Sequence, residues 1–182
     1  MMHRRAWLAI AAALVPLGTV LAGEVPLSGI IADPVAARSD YVEQCGGCHG
    51  VQGRSAPASL PELRDRVGYF MCTPQSRAYL IRLPNVAHSR ITDNQQLADL
   101  MNFVIFSLGG TSAPKGTRPF TGEEVAHERQ FALSSVSLTA ERARHVESAI
   151  RRCGAPASLR RFFPNGVKCL FSGSGFIRRR AS

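Results

Sequence analysis

The sequence predicts an all-α fold, and three observations carry that reading. Helix-start signals recur along the chain, as at Asp33-Pro34, Thr73-Pro74 and Thr121 with Glu124. Leu97, Leu100, Met101, Val104 and Leu108 repeat every three or four residues, the spacing of a helix face. No stretch alternates apolar and polar residues as a half-buried strand does.

The elements follow in order. In residues 1–22, Arg4 and Arg5 precede an apolar run from Trp7 to Val15, and Pro16 and Gly18 break it before the small residues near Ala22. That is the pattern of a cleaved signal peptide. The run is well short of the roughly 20 apolar residues that span a bilayer, and no other stretch is long enough. Asp33 as N-cap and Pro34 at the first helical position then open a helix. Ala37, Tyr41, Cys45 and Cys48 are spaced four, four and three apart, so they are expected on one face. Residues 50–61 read as a loop, with Gly53, Ser55, Pro57, Ser59 and Pro61. A short helix is expected from Thr73-Pro74 to near Pro84. The apolar stripe follows, capped by Thr92 with Gln95 and stopped by Gly109-Gly110. Residues 31–110 thus form a helical domain, small enough to gain from a large buried cofactor. Residues 111–150 are expected to be a linker and helical extension, with helices after Thr121 and from Ala140 to Cys153.

Charge separates the last segment. The chain of 182 residues has 22 Lys+Arg against 13 Asp+Glu, a net +9. Residues 151–182 hold eight of the basic residues and no acid, whereas residues 23–150 hold 12 basic and 13 acidic ones. The high pI therefore belongs to a basic tail, expected to be poorly ordered, and the near-neutral middle gives no sign of nucleic-acid binding.

The chemistry lies in Cys45-Gly46-Gly47-Cys48-His49. A structural zinc site needs four ligands, and no second Cys or His pair completes a shell. A redox dithiol normally opens a helix in a strand–helix fold, whereas this pair closes its helix, where the dipole disfavours a thiolate. Covalent haem attachment uses all three residues: two thiols to bond the porphyrin edge and the next residue, a histidine, to bind the iron. Attachment outside the cytoplasm also agrees with an export signal.

These residues resemble the monohaem class I c-type cytochromes of bacteria. The resemblance covers about residues 31–110. It rests on Asp33-Pro34, Tyr41, the Cys45–Gly50 motif with Gly53, Pro61-Glu62-Leu63, the Ile91-Thr92-Asp93 lead-in, and a last helix that crosses the first in that family. It implies a small cytochrome c-type helical domain around one covalent haem c, bound through Cys45 and Cys48, with His49 as proximal iron ligand. It implies that the Pro61 carbonyl accepts from the second nitrogen of His49. The family's distal methionine is missing between Pro84 and Thr92, which leaves His88, Met71 or an open position. The implied role is periplasmic electron transfer, with a dehydrogenase or terminal oxidase as partner. An open site would instead suit a haem enzyme or small-ligand sensor, and a third alternative is an electron-accepting subunit of a dehydrogenase.

The remaining side chains are read plainly. Arg54, Arg64 and Arg66 are candidates to pair with haem carboxylates. Cys72 is expected as a buried free thiol, and Cys153 with Cys169 as a disulfide in the tail. His127 and His145 are expected at the surface. Lysine is limited to Lys115 and Lys168, so a docking surface would be apolar or arginine-based.

Overall fold

The computed structural model describes residues 27, 29–55, 60–134 and 137–162. The export signal of residues 1–22, Cys169 and the rest of the tail lie outside the described residues. Among the described residues every regular element is helical, and no helix is long and apolar enough to cross a membrane.

Helix α1 spans Pro34–Tyr41, and the Asp33 carboxylate accepts from the amides of Val35 and Ala36, each at 3.0 Å. The chain continues through a π-helical turn, Val42–Gly46, into the short turn α2, Gly47–His49. A π turn takes more residues per revolution, so the predicted single face drifts. Ala37 and Tyr41 are buried, Cys45 is half-buried and Cys48 is exposed.

A 3-10 turn, Val67–Cys72, leads to α3, Pro74–Arg82, which Thr73 caps by accepting from the Ser76 amide. Leu83 is extended, as the residue before a proline tends to be, and Pro84 opens the single turn α4, Pro84–Ala87. Helix α5 spans Asn94–Asn102 and continues as a π-helical segment, Phe103–Leu108. Its cap is Asp93, which accepts from the Gln96 amide at 2.8 Å, and not Thr92 as expected one residue earlier. Both side chains could cap; the extended backbone at Asp93 decided between them.

Helix α5 packs across α1. The rings of Tyr41 and Phe103 lie 5.6 Å apart, Gln96 donates to Asp40 at 2.9 Å, and the Asp99 carboxylate accepts from the Ala32 amide. Helix α6, Gly122–Glu128, is capped by Thr121. Only half of the expected capping box forms, because Glu124 turns its carboxylate to Arg77. Arg77 is nearly buried. It donates to Glu124 at 2.6 Å and to the carbonyls of Arg118 and Pro119 at 2.7 and 2.8 Å, and stacks 4.1 Å over the Phe120 ring. The segment before α6 is therefore clamped to the core, with Phe120 buried. Arg77→Ala leaves Glu124 and two carbonyls without their donor. We expect it to lower stability by about 3 kcal/mol, read as a shift of the urea midpoint.

Helix α7 spans Leu138–Cys153, two residues longer at its start than predicted, with Ser137 as N-cap and Gly154 in the left-handed region at its end. The turn α8, Leu159–Phe162, follows. Three expectations are corrected here. Cys72 is not a free thiol: it is disulfide-bonded to Cys153, with Cα atoms 6.1 Å apart, so Cys153 is not available to Cys169. The ordered chain does not stop at Arg151, because Ala155 and Leu159 are buried in the same core as Val146, Phe70 and Leu97. His145 is not a surface residue. Its Nδ1 is 3.0 Å from Ser76 Oγ, and its ring is 4.4 Å from that of Tyr79. His127, by contrast, is exposed.

Burial holds the His145 pKa below the ordinary 6.5, and Arg144 lowers it further. As pH falls through 6.5 the unfolded chain takes up a proton that folded His145 refuses, so stability falls with acidification. His145→Gln removes this component. The loss of stability between mildly alkaline and mildly acidic urea titrations should be smaller in the variant than in the wild type.

Candidate haem site

The site is built where α1 ends. Tyr41 is fully buried and donates from its hydroxyl to the Gly50 carbonyl at 2.7 Å. Burial, with the nearby Cys45 sulfur, pushes its pKa up to about 12, so the phenol stays a neutral donor. Gly50 has φ +74°, and a Cβ there would collide with the Arg54 carbonyl oxygen. A glycine is thus required directly after His49 for the chain to leave α2 sharply.

His49 is half-buried, and its Nδ1 lies 3.0 Å from the Pro61 carbonyl oxygen. A carbonyl can only accept, so Nδ1 carries the proton and Nε2 keeps its lone pair. Burial lowers the His49 pKa, the Pro61 bond opposes that shift, and Arg142 adds to it. A neutral imidazole with one nitrogen anchored and the other bare is the form that binds a metal.

Cys45 and Cys48 are free thiols. Burial, then the neighbouring Cys48, pushes Cys45 up to about 11. A thiol so placed stays protonated at neutral pH, unlike the low-pKa nucleophile of a redox dithiol. Among the described residues no three His, Cys, Asp or Glu side chains converge as a metal shell. Two free thiols one turn apart, followed by a bare imidazole nitrogen, fit an iron porphyrin held by two thioethers.

The other sequence candidates scatter. His88 is exposed at the end of α4, and Met71 is buried in the Val67–Cys72 turn. Arg54 and Arg66 approach Glu62 at 3.9 and 3.2 Å, and Arg66 donates to the Arg64 carbonyl at 2.7 Å. One residue absent from the sequence candidates bears on His49: the charge of Arg142 on α7 lowers its pKa. Tyr79 on α3 is buried, and its ring lies 4.4 Å from that of His145 on α7. The stretch Glu141-Arg142-Ala143-Arg144-His145 reads as a solvated charge run, and no local signal singles out Arg142.

Over 116 residues the chain is 26% identical to cytochrome c-552 of Thermus thermophilus, an alignment covering 54% of this chain and 88% of that protein. The chain is thus distantly similar to a cytochrome c-552. A second cytochrome c-552 from the same species matches with the same identity over 78% of its length. No protein-family model matches this sequence, and no solved structure matches it. Helical cytochrome c architecture and the all-α structure agree.

Proposed function

We propose that the protein is an exported electron carrier with one haem c, attached through Cys45 and Cys48 and ligated by His49. The observation that carries this reading is the His49 imidazole, anchored on the Pro61 carbonyl and preceded by two thiols left free in a protein that oxidises Cys72 and Cys153. When bound, the haem supplies a one-electron couple. The protein's own groups do the rest. Pro61 orients His49 and raises its basicity toward a metal. Tyr41 ties the end of α1 to Gly50 and holds the turn that carries the motif. The apolar core of α1 and α5 keeps water from the buried side of that turn.

The amino-terminal pattern of residues 1–22 supports a periplasmic location. A dehydrogenase upstream or a terminal oxidase downstream are the partner classes this role requires. The second axial position falls to His88, Met71 or neither. The exposure of His88 and the core position of Met71 give weight to a second reading, a haem enzyme or small-ligand sensor with an open distal face. Docking on a dehydrogenase as its electron-accepting subunit is a variant of the first.

The test is acid–acetone extraction of protein made with a c-type maturation system. Haem that stays with the polypeptide is the expected result, and haem released into the solvent refutes the reading. Carbon monoxide added to the reduced protein separates the two roles: rapid binding marks an open face, and none marks a firm sixth ligand.

A further inference from the structure

The Cys72–Cys153 bond joins two helix ends of opposite polarity. Cys72 stands directly before Thr73, the N-cap of α3, and Cys153 is the last residue of α7. Both half-cystines are half-buried, so the bond is not sealed inside the core. A cleft of about 340 Å³ lies between the start of α3 and one face of α7. Thr73 and Arg152, the chain neighbours of the two half-cystines, both line it, so the cleft leads to the bond.

The cleft carries an unmatched positive charge. Arg144, His145 and Ser148 line it from α7 together with Glu141, and the Glu141 carboxylate is already engaged by Arg144 and faces His145. Arg152 is exposed, and no carboxylate among the described residues pairs with it. Glu147, on the same helix, is held by Arg151 and Arg160. An anion that enters the cleft therefore meets a free guanidinium beside Cys153. Thiol–disulfide exchange begins with such an anion, a thiolate.

We infer that Cys153 is a site of S-thiolation in the folded protein, and that its reactant is a small thiol carrying a further negative charge. The thiolate sulfur bonds to Cys153 Sγ and the bond to Cys72 breaks. The electron pair leaves with Cys72 Sγ, which takes a proton from solvent. A second thiol then displaces the first, which leaves Cys153 reduced and the two reactant thiols joined as the oxidised product. Helix polarity gives the direction. The thiol of lower pKa leaves faster; the N-terminal end of α3 favours a thiolate at Cys72, and the C-terminal end of α7 disfavours one at Cys153. The exchange unfastens α7 from the turn before α3. It does not depend on the haem reading.

The test treats full-length protein carrying Cys169→Ser with mercaptoethanesulfonate, at low ionic strength and without denaturant. Acid quenching, alkylation of free thiols and peptide mass spectrometry then locate the adduct. An adduct on Cys153 with Cys72 alkylated is the expected result. An adduct on Cys72 overturns the inference, as does a bond that exchanges only at urea concentrations that unfold the protein. Cysteamine, a cationic thiol of similar size, is expected to react several-fold more slowly at equal thiolate concentration, and equal rates overturn the assignment of the reactant. Arg152→Gln should slow mercaptoethanesulfonate toward the cysteamine rate, whereas Arg151→Gln, outside the cleft, should leave it near wild type. Equal slowing by the two variants would mark a general effect of charge and overturn the role of the cleft.

Discussion

Cys45→Ala combined with Cys48→Ala is expected to abolish acid-resistant haem retention while leaving the polypeptide folded. Acid would protonate the His49 imidazole and release an iron held there, so only thioethers at Cys45 and Cys48 could hold the group under extraction. The two positions differ in environment. Cys45 is half-buried, so alanine there removes one sulfur's contacts and costs about 1 kcal/mol. Cys48 is exposed, and its loss should leave stability unchanged within about 0.5 kcal/mol. Either single variant keeps one thioether and should remain coloured on a haem-stained denaturing gel. Only the double variant should be blank. A double variant that still carries haem through acid–acetone would move the attachment point elsewhere.

Reduction of the Cys72–Cys153 bond should produce the largest change in stability. The bond closes a loop with a sequence separation of 81 residues. Loop-closure entropy for that length is about 4–5 kcal/mol, against a total of about 5–15 kcal/mol for a typical domain. The bond joins the turn before α3 to the last residue of α7, so it fastens the carboxy-terminal extension to the helices around the site. Without it, α7 is held by Val146, Ala149 and the His145–Ser76 contact. We expect the urea midpoint of the wild type to drop sharply with reductant. A Cys72→Ser, Cys153→Ser variant should start at the lower midpoint and ignore reductant. Equal midpoints for all four samples would contradict the account.

Much of the site was legible because its parts are close in sequence. Cys45, Cys48 and His49 lie within five residues, and the Asp33 cap that starts their helix is only twelve residues before Cys45. Caps at Thr73 and Thr121 were readable for the same reason: a side chain meets an amide three residues on. The errors of this kind were small, such as Asp93 taking the cap expected of Thr92. They arise where two adjacent side chains can both cap and backbone geometry chooses between them.

The larger misses all involve partners far apart in the chain. With Cys45 and Cys48 assigned to haem, three cysteines remain, and sequence cannot rank their pairings. The 6.1 Å approach of the Cα atoms of Cys72 and Cys153 is a product of packing. His145 and Arg142 sit in a polar, charge-rich stretch, where exposure is the ordinary expectation. They are drawn inward because Val146 and Ala149 on the same helix are buried against the core.

The amino-acid sequence alone determined the helical class, most of the helix starts and the closeness of Cys45, Cys48 and His49 in one short stretch. Each depends on hydrogen bonds and side-chain directions within a turn or two of chain, which any residue can read from its neighbours. Tertiary structure alone decided that Val146, Ala149, Ala155 and Leu159 join the same core, that Cys72 meets Cys153, and that His145 meets Ser76. Those depend on apolar burial between distant segments, a force with no direction along the chain, so its outcome emerges only once every helix has found its place.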